Sequence, residues 1–175
     1  VEHACEDIKG VSSSQVEMNS GLQFYNNITT DEIQQIITKS AADLISLDTP
    51  NYTYVAARLL LFSLRKNLFH KLWDHPHFYD QVKRLVDLKL YDSLIMRDYD
   101  RRDFDRMEYW LKHDRDYDFT YAGLRQVIDK YLVQDRSTGQ IYETPQFMYM
   151  MIAATLFSKY PKNTRLIYVK KYYDA

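Results

Sequence analysis

SAADLISLDTPNYTYVAARLLLFSLRK, residues 40–66, reads as the end of one helix, a short turn and most of a second helix. Thr49 offers a hydroxyl cap, and Pro50 stands at the first helical position, where its missing N–H costs nothing. Downstream, Val55, Leu59, Phe62 and Phe69 fall on one stripe, and Leu60, Leu61, Leu64 and Leu68 thicken it almost all round. A helix apolar on most sides belongs inside a bundle. Upstream, Thr29 with Glu32 fits a capping box, and Ile33, Ile36, Ile37, Ala41, Leu44 and Ile45 recur at helical spacing through about Ser46. Ser12 with Gln15 repeats the same start signal.

Beyond Lys66 the helical pattern breaks at WDHPHF, Trp73 to Phe78, around Pro76, and resumes through Val82, Leu85, Val86 and Leu88. A domain boundary is placed here, giving units over 1–72 and 73–175. Further helices are expected near 101–112, 119–132, 144–159 and 162–174. Between the second and third of these, YLVQDRSTGQIYETPQF places Thr138 and Gly139 at a tight turn between the β-prone flanks Tyr131–Val133 and Ile141–Tyr142. A short hairpin or ordered loop is expected there, with Thr144 and Pro145 starting the next helix. The fold class is therefore mainly α: a helical bundle followed by a second all-helical domain.

Composition narrows the partners. The chain has 175 residues, 46% of them apolar, and a formal net charge of -1. Basic and acidic residues are interspersed, so no basic face advertises nucleic acid or an anionic membrane. Cys5 is the sole cysteine, which rules out an intrachain disulfide and points to a reducing, cytoplasmic setting. FMYMMIAATLF, Phe147 to Phe157, falls well short of the ~20 apolar residues of a spanning helix and reads as a buried core helix. The chain opens with VEHACEDIK, without signal-peptide architecture, and stops at KKYYDA before any cap. Both ends read as cut, with Tyr172 and Tyr173 left without following structure to pack on.

Several residue groups suggest chemistry on first reading. Asp114, Asp116 and Asp118 imitate the start of a calcium loop, but the sixth and twelfth positions hold Phe119 and Arg125 instead of Gly and Glu. They are assigned to structure or capping. His70, His75 and His77 match no zinc spacing and are expected on an exposed turn. Cys5 has no partner constellation for nucleophilic catalysis. Asn27 and Asn51 open N-x-T sequons that matter only in a secreted chain. Gly10, Gly21, Gly123 and Gly139 are too dispersed for a phosphate-binding loop. One anion-binding arrangement stays open: Thr30 at a helix N-terminus, with Lys66 supplying a point charge from the long helix.

The blocks SAADLISLDTPNYTYVAARLLLFSLRK, HDRDYDFTYAGLRQVIDKYLVQDRSTGQIYETPQFMYMMIAATLF and TRLIYVKKYYDA together resemble the large (alpha) subunit of aerobic class I ribonucleoside-diphosphate reductase, bacterial type. The likeness runs over essentially the whole chain. It implies that residues 1–72 are the helical part of a truncated ATP cone, the family's regulatory domain, and that 73–175 are the helical domain preceding the catalytic barrel. The segment 131–147 then becomes a scaffold connection toward that barrel. Thr30 and Lys66 match positions that contact the allosteric effector ATP or dATP, while Gln34 and Ser63 stand where some relatives place histidines near the phosphates.

The resemblance further implies an enzyme that reduces ribonucleoside diphosphates to deoxyribonucleoside diphosphates. Its catalytic cysteines would lie outside this segment, which holds no catalytic residue, metal or cofactor of its own. The implied partners are a metal-containing, radical-generating small (beta) subunit, a second alpha subunit, and thioredoxin or glutaredoxin. Two other readings remain: an ATP-cone regulator such as a transcriptional repressor, which would need paired CxxC motifs, and a non-catalytic helical interaction module.

Overall fold

The computed structural model describes residues 1–71 and 74–175; the expected boundary at Leu72 and Trp73 lies outside the described residues. The structure is mainly helical. In chain order it runs α1 (Glu2–Cys5), α2 (Ser13–Gly21), α3 (Thr30–Asp43), α4 (Tyr52–Phe69), α5 (Phe78–Asp87), α6 (Leu94–Asp98) and α7 (Arg101–Trp110). A 3-10 helix (His113–Asp118) follows, then α8 (Tyr121–Lys130), strands β1 (Gln134–Asp135) and β2 (Gln140–Ile141), α9 (Pro145–Phe157) and α10 (Arg165–Asp174). These elements form two compact units, Val1–Leu72 with Asp114–Tyr131, and Trp73–His113 with Leu132–Ala175.

In the first unit α4 is central, packing against α1, α3 and α8. Tyr52, Val55, Ala56 and Leu59 of α4 close over Ala4, Val16 and Ala41 in one buried cluster. Val16, Val55 and Leu59 each contribute about 1.5 to 3 kcal/mol when taken out of water, and each alanine about 0.8 kcal/mol. Two start signals play out differently from expectation. Ser12 makes no side-chain cap; its N–H donates to the Tyr52 hydroxyl at 2.9 Å, and that hydroxyl in turn donates to the Gln15 side chain. A tyrosine from the core has taken the place of the capping box. Thr49 directs its hydroxyl to the Leu44 carbonyl at 2.7 Å, closing the turn after α3, and α4 begins later, at Tyr52.

In the second unit α5 packs on α7, and α10 on both α9 and α7. Phe78 lies 5.8 Å from Phe104 and 5.7 Å from Phe147, ring centre to ring centre, and all three are fully buried. The hairpin forms just inside the expected flanks, its first strand directly after Val133 and its second shifted by one residue. Gln134 pairs with Ile141 and Asp135 with Gln140, antiparallel. Gly139 takes the left-handed backbone (φ 74°) that the turn requires, and its N–H donates to the Asp135 carbonyl at 2.7 Å. The base of the hairpin is held from inside: the buried Glu143 accepts the Val133 N–H at 2.8 Å and the Tyr91 hydroxyl.

Tyr172 and Tyr173, read as having no following structure to pack on, pack on preceding elements. The Tyr173 hydroxyl donates to Gln146 at 2.6 Å and accepts the Lys112 N–H at 2.9 Å, while Tyr172 meets Phe157 edge-on. α9 is buried along Pro145–Met148, Met150, Ala153 and Ala154, but Tyr149, Ile152 and Leu156 on its other side are exposed. No described helix is long and apolar enough to cross a membrane.

Candidate functional site

The site foreseen around Thr30 and Lys66 is built from the antiparallel pair α3 and α4. Thr29 caps α3: its hydroxyl accepts the Glu32 N–H at 3.2 Å, and Glu32 Oε2 accepts the Thr29 N–H at 2.8 Å. The Tyr25 hydroxyl adds a bond to Glu32 Oε1 at 2.8 Å. These bonds, the Thr29 backbone bond first, hold the Glu32 carboxyl below its ordinary value. Thr30 is the first helical residue and is exposed. Because Glu32 and Thr29 satisfy each other, the N–H groups of Thr30 and Asp31 are the donors left for a ligand at this helix end.

Lys66 lies in the last turn of α4, exposed, and among the described residues its ammonium makes no ion pair. A cation there also suits the negative end of the helix dipole. The α3/α4 register is set by Gln34, whose Nε2 donates across to the Leu59 carbonyl at 2.9 Å. Thr30 is one turn from that bond along α3, ~6 Å, and Lys66 is two turns along α4, ~10 Å, at 1.5 Å per residue. In an antiparallel pair both displacements run the same way. Thr30 and Lys66 therefore share one end of the hairpin, with Lys66 reaching beyond α3 where an anion on its N-terminus would lie.

Asp31 and Glu32, both in the first turn of α3, oppose an anion electrostatically. With Lys66 as counter-charge, an anion at this end would be held through directed N–H and O–H donors more than through bulk attraction. Gln34, at a position where the resemblance sets a histidine in some relatives, is committed to the Leu59 carbonyl, and Ser63 is half-buried.

The other candidates resolve as structure. Asp116 is buried and pairs with Arg65 at 3.3 Å, as a structural acid rather than a calcium ligand. That partnership was not foreseen; its only trace in the sequence is an arginine interrupting the apolar run of α4. The expected exposed histidine turn is corrected at His75, whose ring nitrogens are buried and whose ring centre stands 3.9 Å from that of His113. The shelter comes from Phe147, 5.0 Å from His113. His77 caps α5 through Nδ1, which accepts the Tyr79 N–H at 3.2 Å, and His70 ends α4 in the left-handed conformation (φ 57°). Among the described residues no group of His, Cys, Asp and Glu could hold a metal. Cys5 is half-buried, and burial raises its thiol pKa, which keeps it a protonated core-margin side chain.

Comparison with known proteins places these helices. Residues 117–175 match the family model described as "Ribonucleotide reductase, all-alpha domain". The ribonucleoside-diphosphate reductase subunit alpha of Haemophilus influenzae is 51% identical over 172 residues, covering 98% of this chain and 23% of the relative. The chain belongs to the ribonucleoside-diphosphate reductase alpha-subunit family. The ribonucleoside-diphosphate reductase 1 subunit alpha of Escherichia coli is 48% identical over 175 residues, 100% of this chain and 23% of its own length. The alpha subunit of Enterobacteria phage T4 is 40% identical over 169 residues, 95% of the chain and 22% of its own length. The chain thus spans under a quarter of the length of these reductase subunits, and it matches their N-terminal region.

Proposed function

We propose that this segment is the regulatory and scaffold part of a ribonucleoside-diphosphate reductase alpha subunit, an enzyme that reduces ribonucleoside diphosphates to their deoxy forms. In this reading residues 1–72 are the helical part of an ATP cone, with 114–131 completing their packing, and the rest of 73–175 is the all-helical scaffold ahead of the catalytic barrel. ATP or dATP binds as allosteric effector at the shared end of α3 and α4. Thr30 contributes a hydroxyl and an open backbone amide, and Lys66 a charge-assisted contact to a phosphate oxygen. The reduction takes place on residues elsewhere in the subunit, since a thiyl radical and a redox-active dithiol need more than Cys5. The beta subunit supplies the radical, a second alpha subunit and thioredoxin or glutaredoxin complete the assembly, and the setting is cytoplasmic.

The observation that carries the effector site is the Gln34–Leu59 bond, because it fixes the register that sets Thr30 and Lys66 at one end. The test is calorimetric titration of ATP and dATP into the complete polypeptide carrying these residues. Lys66→Ala should lose one charge-assisted phosphate contact, about 1.5 to 3 kcal/mol, hence roughly ten- to a hundredfold in Kd. Thr30→Val should cost less, because the amides of the helix end survive. Unchanged effector binding in Lys66→Ala would remove this end of the hairpin from the reading.

A further inference from the structure

Lys66 is aimed by what holds its neighbours. Successive helical side chains stand about 100° apart, so fixing one residue fixes the direction of the next. Arg65 is 2% exposed; its Nη2 reaches Asp116 Oδ2 at 3.3 Å and its Nη1 donates to the Tyr117 hydroxyl at 2.9 Å. The Tyr117 ring is held between two cations of α4, with the Arg65 guanidinium 5.1 Å and that of Arg58 5.5 Å from its centre. Phe62 meets the same ring edge-on at 6.2 Å. Asp116 and Tyr117 thus grip α4 over the two turns from Arg58 to Arg65. On another side, the Leu59 carbonyl is held by Gln34 of α3. Leu59 and Lys66 are seven residues apart, about 20° short of two full turns, so Lys66 stands nearly above the point where α3 is tied. Held from two directions, α4 cannot rotate Lys66 away from the N-terminus of α3.

A buried ion pair adds little net stability over an apolar replacement of the same shape; what it supplies is direction. We infer that Asp116 and Tyr117 are positioning residues for the phosphate contact of Lys66. This rests on the effector reading above and goes beyond it by extending the site to a segment some fifty residues away in sequence, where neither residue touches the ligand. Linkage makes the effect reciprocal: if the grip tightens nucleotide binding, bound nucleotide must tighten the grip.

The test uses the complete polypeptide and ATP. Tyr117→Phe keeps the ring between Arg58 and Arg65 but removes the acceptor of the Arg65 bond. It should weaken ATP binding by about fivefold or more, while the protein stays folded with a modestly lowered unfolding midpoint, because Arg65 Nη1 loses that acceptor. In the unaltered protein, ATP should slow amide hydrogen exchange across 114–118, and Lys66→Ala should abolish that protection. A protein whose ATP binding depends on Lys66 but is indifferent to Tyr117→Phe overturns the inference, as does exchange at 114–118 that ignores ATP. If Lys66→Ala binds ATP normally, the effector reading itself has failed, and the inference falls with it.

Discussion

The N-terminus of α10 is anchored by a pair whose removal has a computable cost. Arg165 Nη2 and Asp103 Oδ2 are 3.0 Å apart, with side chains only 7% and 10% exposed. The guanidinium also lies 4.2 Å from the Tyr99 ring centre. Asp103 does a second job: its Oδ2 accepts the Asp100 N–H at 3.3 Å, completing the capping box of α7. Asp103→Ala therefore strands a buried cation and breaks a cap. The first costs about 3 to 5 kcal/mol, offset by ~1 kcal/mol of retained cation–π attraction. The second adds about 1 kcal/mol, so the expected total is about 3 to 5 kcal/mol. Arg165→Met strands the carboxylate instead, but the Asp100 amide still bonds it, so its cost should sit near the lower end of that range.

The double variant Asp103→Ala/Arg165→Met removes both charges at once. It should lose much less than the sum of the two single changes, leaving a coupling of about 2 to 3 kcal/mol, because the dominant cost of each single change is the unpaired partner. Urea denaturation followed by fluorescence, with Trp110 of α7 as a nearby reporter, measures all four corners of the cycle. If the single costs add to within about 0.5 kcal/mol, the two side chains do not depend on each other and the anchoring argument is wrong.

Glu143 gives a pH signature. Burial above all lifts its carboxyl above the ordinary 4.5, so the folded state holds the proton more tightly than the unfolded chain. The resulting stabilisation is complete below about pH 4.5 and is lost as the pH rises through the raised folded value. Urea midpoints measured from pH 4 to pH 8 should show this fall in the unaltered protein and a flatter profile in Glu143→Gln; parallel profiles would contradict it. Gln34→Glu replaces the donor to the Leu59 carbonyl with a group that at neutral pH only accepts. It should cost about 1 to 3 kcal/mol and weaken ATP binding, read by denaturation and calorimetry together.

How much of this was legible in advance follows from the range of the interactions. Capping at Thr29, the stripe of α4 and the turn at Gly139 are settled within a few residues, and the sequence carries them directly. Ser12 failed as a capping box because Tyr52, forty residues on, supplies a better partner for its N–H. Pro76 beside it suggests an exposed His75, yet its ring nitrogens are buried next to His113 and Phe147, which only the folded chain brings near. The short helix α6 went unseen because a five-residue element leaves no periodic signal.

The candidate site divides along the same line. Thr30 is readable as a residue at a helix start and Lys66 as a cation near the end of an apolar helix, but both are commonplace, and only the resemblance singles them out as a pair. What could not be read is why these two share one end of the α3/α4 pair. That depends on an amide of α3 finding one carbonyl of α4, and on an arginine buried beside Lys66 finding an aspartate some fifty residues away. In the sequence, Arg65 and Lys66 look like a single basic dipeptide. In the fold, one is locked inside and the other is held out, and 100° of helix separates a structural cation from one that can meet a phosphate.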